Sequence, residues 1–323
     1  MIRPFAYLVP LYAAAVAAKS AAYDRGWTTP QRLAWPVVSV GNLSVGGAGK
    51  TPLVIRLAQL LASENIPVDV LSRGYGRRDE SLVERVALEG DAERYGDEPL
   101  LIARATGIPV YVGASRYEAG LLAERHSSHP GIHLLDDGFQ HRKLARALDV
   151  VVVHATDFEE TLLPAGRLRE PLAALGRASV IVLRAEDRGR EPELRSRGIT
   201  APVWIQHRRL AVSGVANAVA FCGIARPDEF FSALHSQNVE LAAAIALRDH
   251  HRYTNADLAR LVATLRQHSA QCFVTTEKDA ARLTREQRAH LEEVAPVHIA
   301  RLQVSLEDES AVLSRLWALL VRK

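Results

Sequence analysis

Apolar residues in this chain fall into short, nearly unbroken runs, separated by longer segments in which they recur every three to four positions. Runs of the first kind cover residues 35–40, 67–72, 109–112, 132–135, 149–153, 180–183, 218–222 and 272–276. Such runs fit strands buried on both faces, as in a parallel sheet covered by helices, where in/out alternation is lost. Segments 52–61, 100–106, 115–125, 227–237 and 255–268 carry helical spacing, and Thr254 stands where an N-cap would precede the last of them. Strands alternating with helices predict an α/β doubly wound fold with a mostly parallel sheet and its ligand at the strands' carboxyl ends. Residues 200–212 follow neither pattern, carry Pro202 and the basic pair Arg208-Arg209, and are expected to form an irregular connection. The α/β pattern then restarts, which places a second, smaller α/β domain after a boundary near residue 205.

The sharpest chemical signal lies between the first strand and the first helix, in Val45-Gly46-Gly47-Ala48-Gly49-Lys50-Thr51. Strand, glycine-rich turn, Lys-Thr and helix is the order of a P-loop. Backbone N–H groups in such a turn point at phosphate oxygens, and the helix N-terminus adds a favourable dipole. Lys50 is expected to reach the β- and γ-phosphates and Thr51 to ligate Mg²⁺. Ser44 stands where the strict pattern has glycine, so the loop is closer to a GGxGK[ST] variant. The chain is thus expected to be a P-loop NTPase-type protein, with its nucleotide-binding and catalytic domain over residues 26–205 and the smaller domain over 206–323.

Composition narrows the picture chiefly by exclusion. A net charge of +3 over 323 residues, without aromatics interleaved among basic positions, gives no case for nucleic acid. Cys222 and Cys272 lie far apart in apolar surroundings and read as buried thiols, not as a disulfide or metal site. The N-terminus is the exception. Residues 1–25 read as an apolar helix flanked by Arg3, Lys19 and Arg25 and interrupted by Pro4 and Pro10. The apolar stretch is shorter than the roughly 20 residues a membrane span needs. It suits either a helix lying among lipid headgroups or one packed on the domain.

Further along, the run 132–135 delivers Asp136 and Asp137, which fits a Walker B carboxylate beside Mg²⁺. Asp97-Glu98-Pro99 is open to two readings: a helix start capped by a carboxylate, or an acid or metal ligand at a strand's carboxyl edge. Arg73-Gly74-Tyr75-Gly76-Arg77-Arg78 is either a phosphate clamp or a solvated turn. The adjacent pair His250-His251 is a poor metal site, because neighbouring side chains diverge, and suits a general-base or orienting role. Thr276-Glu277-Lys278-Asp279 lacks the spacer that a guanine-reading motif has between Lys and Asp, which removes the best support for a GTPase.

Several of these segments recur together in one known family. Residues 40–52, Ser72-Arg73-Gly74-Tyr75-Gly76, Gly96-Asp97-Glu98-Pro99, Leu135-Asp136-Asp137-Gly138-Phe139-Gln140-His141, Pro164-Ala165-Gly166-Arg167-Leu168-Arg169-Glu170-Pro171, Asp249-His250 and Thr276-Glu277-Lys278-Asp279 stand in the order found in the tetraacyldisaccharide 4′-kinases, the lipid A 4′-kinases of Gram-negative bacteria, and the chain resembles that family. The resemblance implies transfer of the ATP γ-phosphate to the 4′-hydroxyl of tetraacyldisaccharide 1-phosphate, giving lipid IV(A). It implies an Asp97–His250 dyad, with Asp97 as base and His250 orienting it, beside Lys50. It implies ATP contacts from Asn42, Ser44, Gly46, Gly47, Ala48, Gly49, Lys50 and Thr51, with Tyr75 and Arg116 as further active-site positions. Candidates for Mg²⁺ are Thr51, Glu98, Asp136, Asp137 and Glu170. It further implies a monomer with a lipid substrate, peripheral on the cytoplasmic face of the inner membrane through the N-terminal helix. The competing expectation is a P-loop ATPase or GTPase of the partitioning or metallochaperone kind, whose hydrolysis drives a conformational switch.

Overall fold

The structure, a computed structural model, describes residues 5–47 and 49–321. Residues 1–4 of the expected N-terminal helix and Ala48 of the glycine loop lie outside the described residues. Among the described residues, twelve strands form a single sheet. They are β1 (Val37–Asn42), β2 (Val68–Ser72), β3 (Glu84–Arg85), β4 (Val110–Val112), β5 (Ile132–Asp136), β6 (Leu148–Val152), β7 (Val180–Arg184), β8 (Val203–Ala211), β9 (Ala218–Cys222), β10 (Leu241–Ala246), β11 (Cys272–Thr276) and β12 (Val297–Leu306). Their order across the sheet is β10-β9-β11-β12-β8-β7-β6-β1-β5-β2-β4-β3, parallel throughout except for β3/β4 and β8/β12. Every residue of β1, β5, β7 and β9 is buried, which is why these segments read as continuous apolar runs.

β1 sits between β5 and β6: the chain leaves it toward β2 on one side and later crosses from β5 to β6 on the other, which opens a crevice at the carboxyl ends of these strands. The helix Lys50–Ser63 follows and buries Leu53, Val54, Leu57, Leu60 and Leu61 in the cluster that holds Val38, Val40, Ile132 and Leu134. At about 1.5–3 kcal/mol per buried aliphatic side chain, this one face fixes the phosphate loop against the sheet. A separate cluster around Val219, Phe221, Leu258, Leu261 and Phe273 forms the core of the second half. Cys222 and Cys272 are free and buried, as expected.

Two departures from the sequence reading concern the seam between the halves. Residues 200–212 are not an irregular connection, because they contain β8, nine residues long. Val203–Gln206 pair with β7, while Gln206–Ala211 pair with β12, so the strand passes from one half to the other. Its polar residues give it the composition of a loop, yet Ile205, Gln206 and Leu210 are buried while His207 and Arg209 stay in solvent. The second departure is the C-terminal helix Glu309–Val321, which leaves the second half. Its Val312 and Leu316 join Val150, Val180 and Val182 in the first core, and Glu309 accepts from Arg56 Nε at 2.8 Å.

The helix Val9–Asp24 has no buried residue. It docks through polar contacts: Tyr12 donates to Arg169 O at 3.0 Å, and Arg142 donates to Ser20 Oγ at 3.1 Å and Asp24 at 2.7 Å. Pro10 lies in its first turn, where no intrahelical N–H is lost. Among the described residues no helix is long and apolar enough to cross a membrane.

Candidate active site

The phosphate loop takes its shape from two glycines. Gly46 has φ +91° and Gly49, which caps the helix Lys50–Ser63, has φ +88°; L side chains rarely adopt either conformation. A Cβ on Gly46 would lie 2.3 Å from Arg167 Nη2, whose guanidinium donates to Val45 O at 3.1 Å and braces the loop. Asn42 ends β1, donates to Ser44 O at 2.7 Å and accepts from Lys50 Nζ at 2.9 Å. Lys50 also pairs with Asp137 at 3.1 Å, and Thr51 is buried beside it. Asn42, Ser44, Lys50 and Thr51 are therefore brought together, with Gly46, Gly47 and Gly49 forming the turn.

β5 delivers the two carboxylates. Burial works against ionisation of Asp137, but Lys50 and Arg169 outweigh it and pull its carboxyl down to about 2. Arg169 Nη1 reaches it at 2.8 Å. Asp136 is in the opposite position. Burial, then Glu98, then Asp137 push its carboxyl up. Its Oδ2 accepts only a 3.3 Å bond from Ser72, and its buried Oδ1 has no partner. A buried carboxylate oxygen without a partner fits a cation site. Among the described residues no three His, Cys, Asp or Glu side chains converge into a ready-made metal cage. Mg²⁺, which takes one or two carboxylates and completes its shell with phosphates and water, would be held there by Asp136 and Asp137. Glu98 and Glu170, also expected as ligands, are otherwise engaged: Lys278 holds Glu98, and Arg177 donates to Glu170 at 2.6 Å.

Asp97 is not a helix cap. Gly96 occupies that position with φ +89°, and Asp97 opens the helix Asp97–Thr106 with its Oδ1 accepting only from the neighbouring Glu98 N at 3.0 Å. Its Oδ2 lies 3.1 Å from His250 Nδ1, a contact between residues 153 positions apart. His250 sits at φ +57°. Burial opposes the charge on Asp97, but His250, Arg282 and Lys278 hold its carboxyl well below the usual range. The bond to Asp97 in turn raises His250, against the effect of its own burial.

Tyr75 meets the His250 ring edge-on at 5.7 Å. Of its loop neighbours, Arg77 is buried with its Nη2 donating to Glu80 O and Leu82 O, and Arg73 pairs with Glu80. Arg116 is buried against His141 Nδ1 at 2.9 Å and Ala114 O at 2.9 Å; burial, then Arg73, lower it to about 10. Arg282 and Lys278, which bear on Asp97 and Glu98, lie outside the candidates that the sequence pattern offers. Their spacing of four on one short helix was the available signal.

A glycine loop on a β–α junction, a lysine over it, two strand-terminal carboxylates and a separate Asp–His pair define a P-loop phosphotransferase of the doubly wound α/β class. The profile of the tetraacyldisaccharide-1-P 4′-kinase family matches residues 1–321. Similar proteins include the tetraacyldisaccharide 4′-kinase of Koribacter versatilis (strain Ellin345), 44% identical over 328 residues with 98% of each chain covered. That of Geobacter metallireducens (strain ATCC 53774 / DSM 7210 / GS-15) is 38% identical over 318 residues with 92% of each covered. Among solved structures, "apo" form LpxK from Aquifex aeolicus in complex with ATP superposes with a TM-score of 0.78 at 30% identity, covering 99% of both chains. The chain belongs to the tetraacyldisaccharide-1-P 4′-kinase family.

Proposed function

We propose that the chain transfers the γ-phosphate of ATP to the 4′-hydroxyl of tetraacyldisaccharide 1-phosphate, forming lipid IV(A) in lipid A synthesis. The observation that carries the mechanism is the Asp97–His250 contact, assembled from the two halves beside the phosphate loop. The loop amides and Lys50 hold the β- and γ-phosphates, and Thr51 with Asp136 and Asp137 would hold Mg²⁺, which would neutralise phosphate charge. Asp97 takes the proton of the acceptor hydroxyl, and His250 orients Asp97. Tyr75 and Arg116 border the same space. Residues 26–205 form the catalytic unit, and most of 206–323 closes over it about the β8/β12 ribbon, excluding water in favour of a sugar hydroxyl.

The acyl chains require an apolar approach, and exposed Phe5, Tyr7, Leu8 and Leu11 at the start of the N-terminal helix supply one. A cavity of about 310 Å³ lies between this helix and the core, lined by Tyr12, Val16, Lys19, Gln140, Arg169 and Glu170 among others. The exposed apolar residues support peripheral binding to a membrane surface, and the proposal places the protein on the cytoplasmic face of the inner membrane as a monomer. The test is mass spectrometry of tetraacyldisaccharide 1-phosphate incubated with the protein, Mg²⁺ and ATP. Gain of one phosphate is expected; ATP hydrolysis without that gain returns the molecule to the switch ATPases. Sedimentation with anionic vesicles tests the helix, and undiminished binding after Leu8→Glu and Leu11→Glu assigns the membrane contact elsewhere.

A further inference from the structure

The Asp97 carboxylate has a neighbour besides His250. Arg282, the last residue of the helix Glu277–Arg282, donates to Asp97 Oδ2 through Nε at 2.8 Å and again through Nη2. Its side chain is 5% exposed, so the contact is made away from solvent. The guanidinium is fixed from behind, because Nη1 donates to Gly223 O and to Asp279 Oδ1 at 3.1 Å. Asp279 cannot follow a moving arginine. It is fully buried and accepts from Gly223 N at 2.8 Å, Tyr253 Oη at 3.0 Å and Thr276 Oγ1 at 2.6 Å. One turn earlier on the same helix, Lys278 holds Glu98. A single short helix of the second half thus brings two cations onto two consecutive carboxylates of the first.

The distribution of donors over Asp97 is uneven. Oδ2 carries His250 Nδ1, Arg282 Nε and Arg282 Nη2, while Oδ1 carries only Glu98 N. A carboxylate oxygen offers two lone pairs, so Oδ2 is saturated and Oδ1 keeps one free.

We propose that Arg282, held by Asp279, is a positioning residue for phosphoryl transfer that fixes Asp97 so that Oδ1 is the proton-accepting atom. In the step, the acceptor O–H bond breaks and its proton passes to Asp97 Oδ1. The hydroxyl oxygen forms the new O–P bond to the γ-phosphorus, and the β–γ bridging bond breaks with its electron pair leaving on ADP. Without Arg282 the carboxylate keeps one contact at each oxygen, His250 Nδ1 on Oδ2 and Glu98 N on Oδ1, and is freer to turn about its Cβ–Cγ bond. Misplacement of about 1 Å at a reacting atom costs on the order of a hundredfold in rate. Because the arginine belongs to the second half, the base is in register only when the halves are seated together.

This proposal rests on the reading of Asp97 as base, and the test separates the two. Turnover and ATP affinity are measured for Arg282→Met, Asp97→Asn and the double variant, with Arg282→Lys as the conservative control. Arg282→Met is expected to lower kcat by about 10- to 100-fold with Kd for ATP changed less than about threefold, and Arg282→Lys to recover part of the loss. In the Asp97→Asn background the same substitution should cost less than about threefold, because its effect passes through Asp97. An equal loss in both backgrounds overturns the positioning role of Arg282. An unimpaired Asp97→Asn removes the base assignment instead. Should the methionine variant not fold, the lysine variant runs the same cycle with the same two outcomes.

Discussion

Asp136→Asn should make the metal-free protein more stable while disabling it. Asp136 is 3% exposed, its Oδ1 has no partner, and its Oδ2 has one 3.3 Å bond. Burial, Glu98 and Asp137 raise its proton affinity, and Lys50 and Lys278 offset only part of that. A folded-state pKa above the unfolded value means the ionised side chain destabilises the fold. The penalty is absent at low pH, where both states are protonated, and is fully expressed above the folded value. Each tenfold rise in proton affinity corresponds to about 1.4 kcal/mol. Allowing for the two lysines and for relaxation around a buried charge, a neutral isostere recovers about 1–3 kcal/mol. In a chain of this size that is a rise of about 2–5 °C in Tm. Calorimetry at pH 8 in EDTA measures it directly, with turnover measured alongside. Adding Mg²⁺ and ATP should then stabilise the wild type more than the variant, since only the wild type gains a cation against that carboxylate. An asparagine variant with an equal or lower Tm in EDTA would refute the claim that Asp136 is held strained for a cation.

Other expectations follow from the same geometry. Gly46→Ala imposes φ +91° on a residue with a Cβ and drives it into Arg167, at about 1–3 kcal/mol of strain, so ATP affinity should fall at least about tenfold by titration. His250 gains proton affinity from Asp97, so its contribution to stability is complete below its unfolded pKa of about 6.5 and is lost as pH rises through the higher folded value. The Tm gap between wild type and His250→Gln should therefore be widest near pH 6 and shrink toward pH 9 in a scan at fixed ionic strength. Thr254 and Asp257 form a capping box on the helix Asn255–Gln267, and Thr254→Ala should cost about 1 kcal/mol in urea unfolding with m unchanged.

The elements that came through most clearly are those whose neighbours in space are also their neighbours in sequence. β1, its glycine loop and the helix Lys50–Ser63 are one continuous segment, and nothing distant is needed to read Lys50 and Thr51 as following a glycine turn at a helix N-terminus. β5 ends in Asp136, with Asp137 directly after it, for the same local reason. β8 failed because a strand with one face in solvent and polar residues on that face has the composition of a loop. β10 and β12, and the return of Val312 and Leu316 to the first core, depend on pairings that no local window contains.

The sequence by itself determined the α/β class, the glycine loop and the strand that delivers Asp136, because apolar periodicity and glycine dihedrals act within a few residues. The Asp97–His250 pairing was reached only through family resemblance, since nothing in the spacing of residues 97 and 250 requires them to meet. What tertiary structure alone decided is the set of charges around Asp97. Lys278 and Arg282 bear on it because β12 runs antiparallel to β8 and folds the second half back onto the first. Electrostatics depends on distance through space, and that distance is fixed only when the sheet closes the seam between the halves.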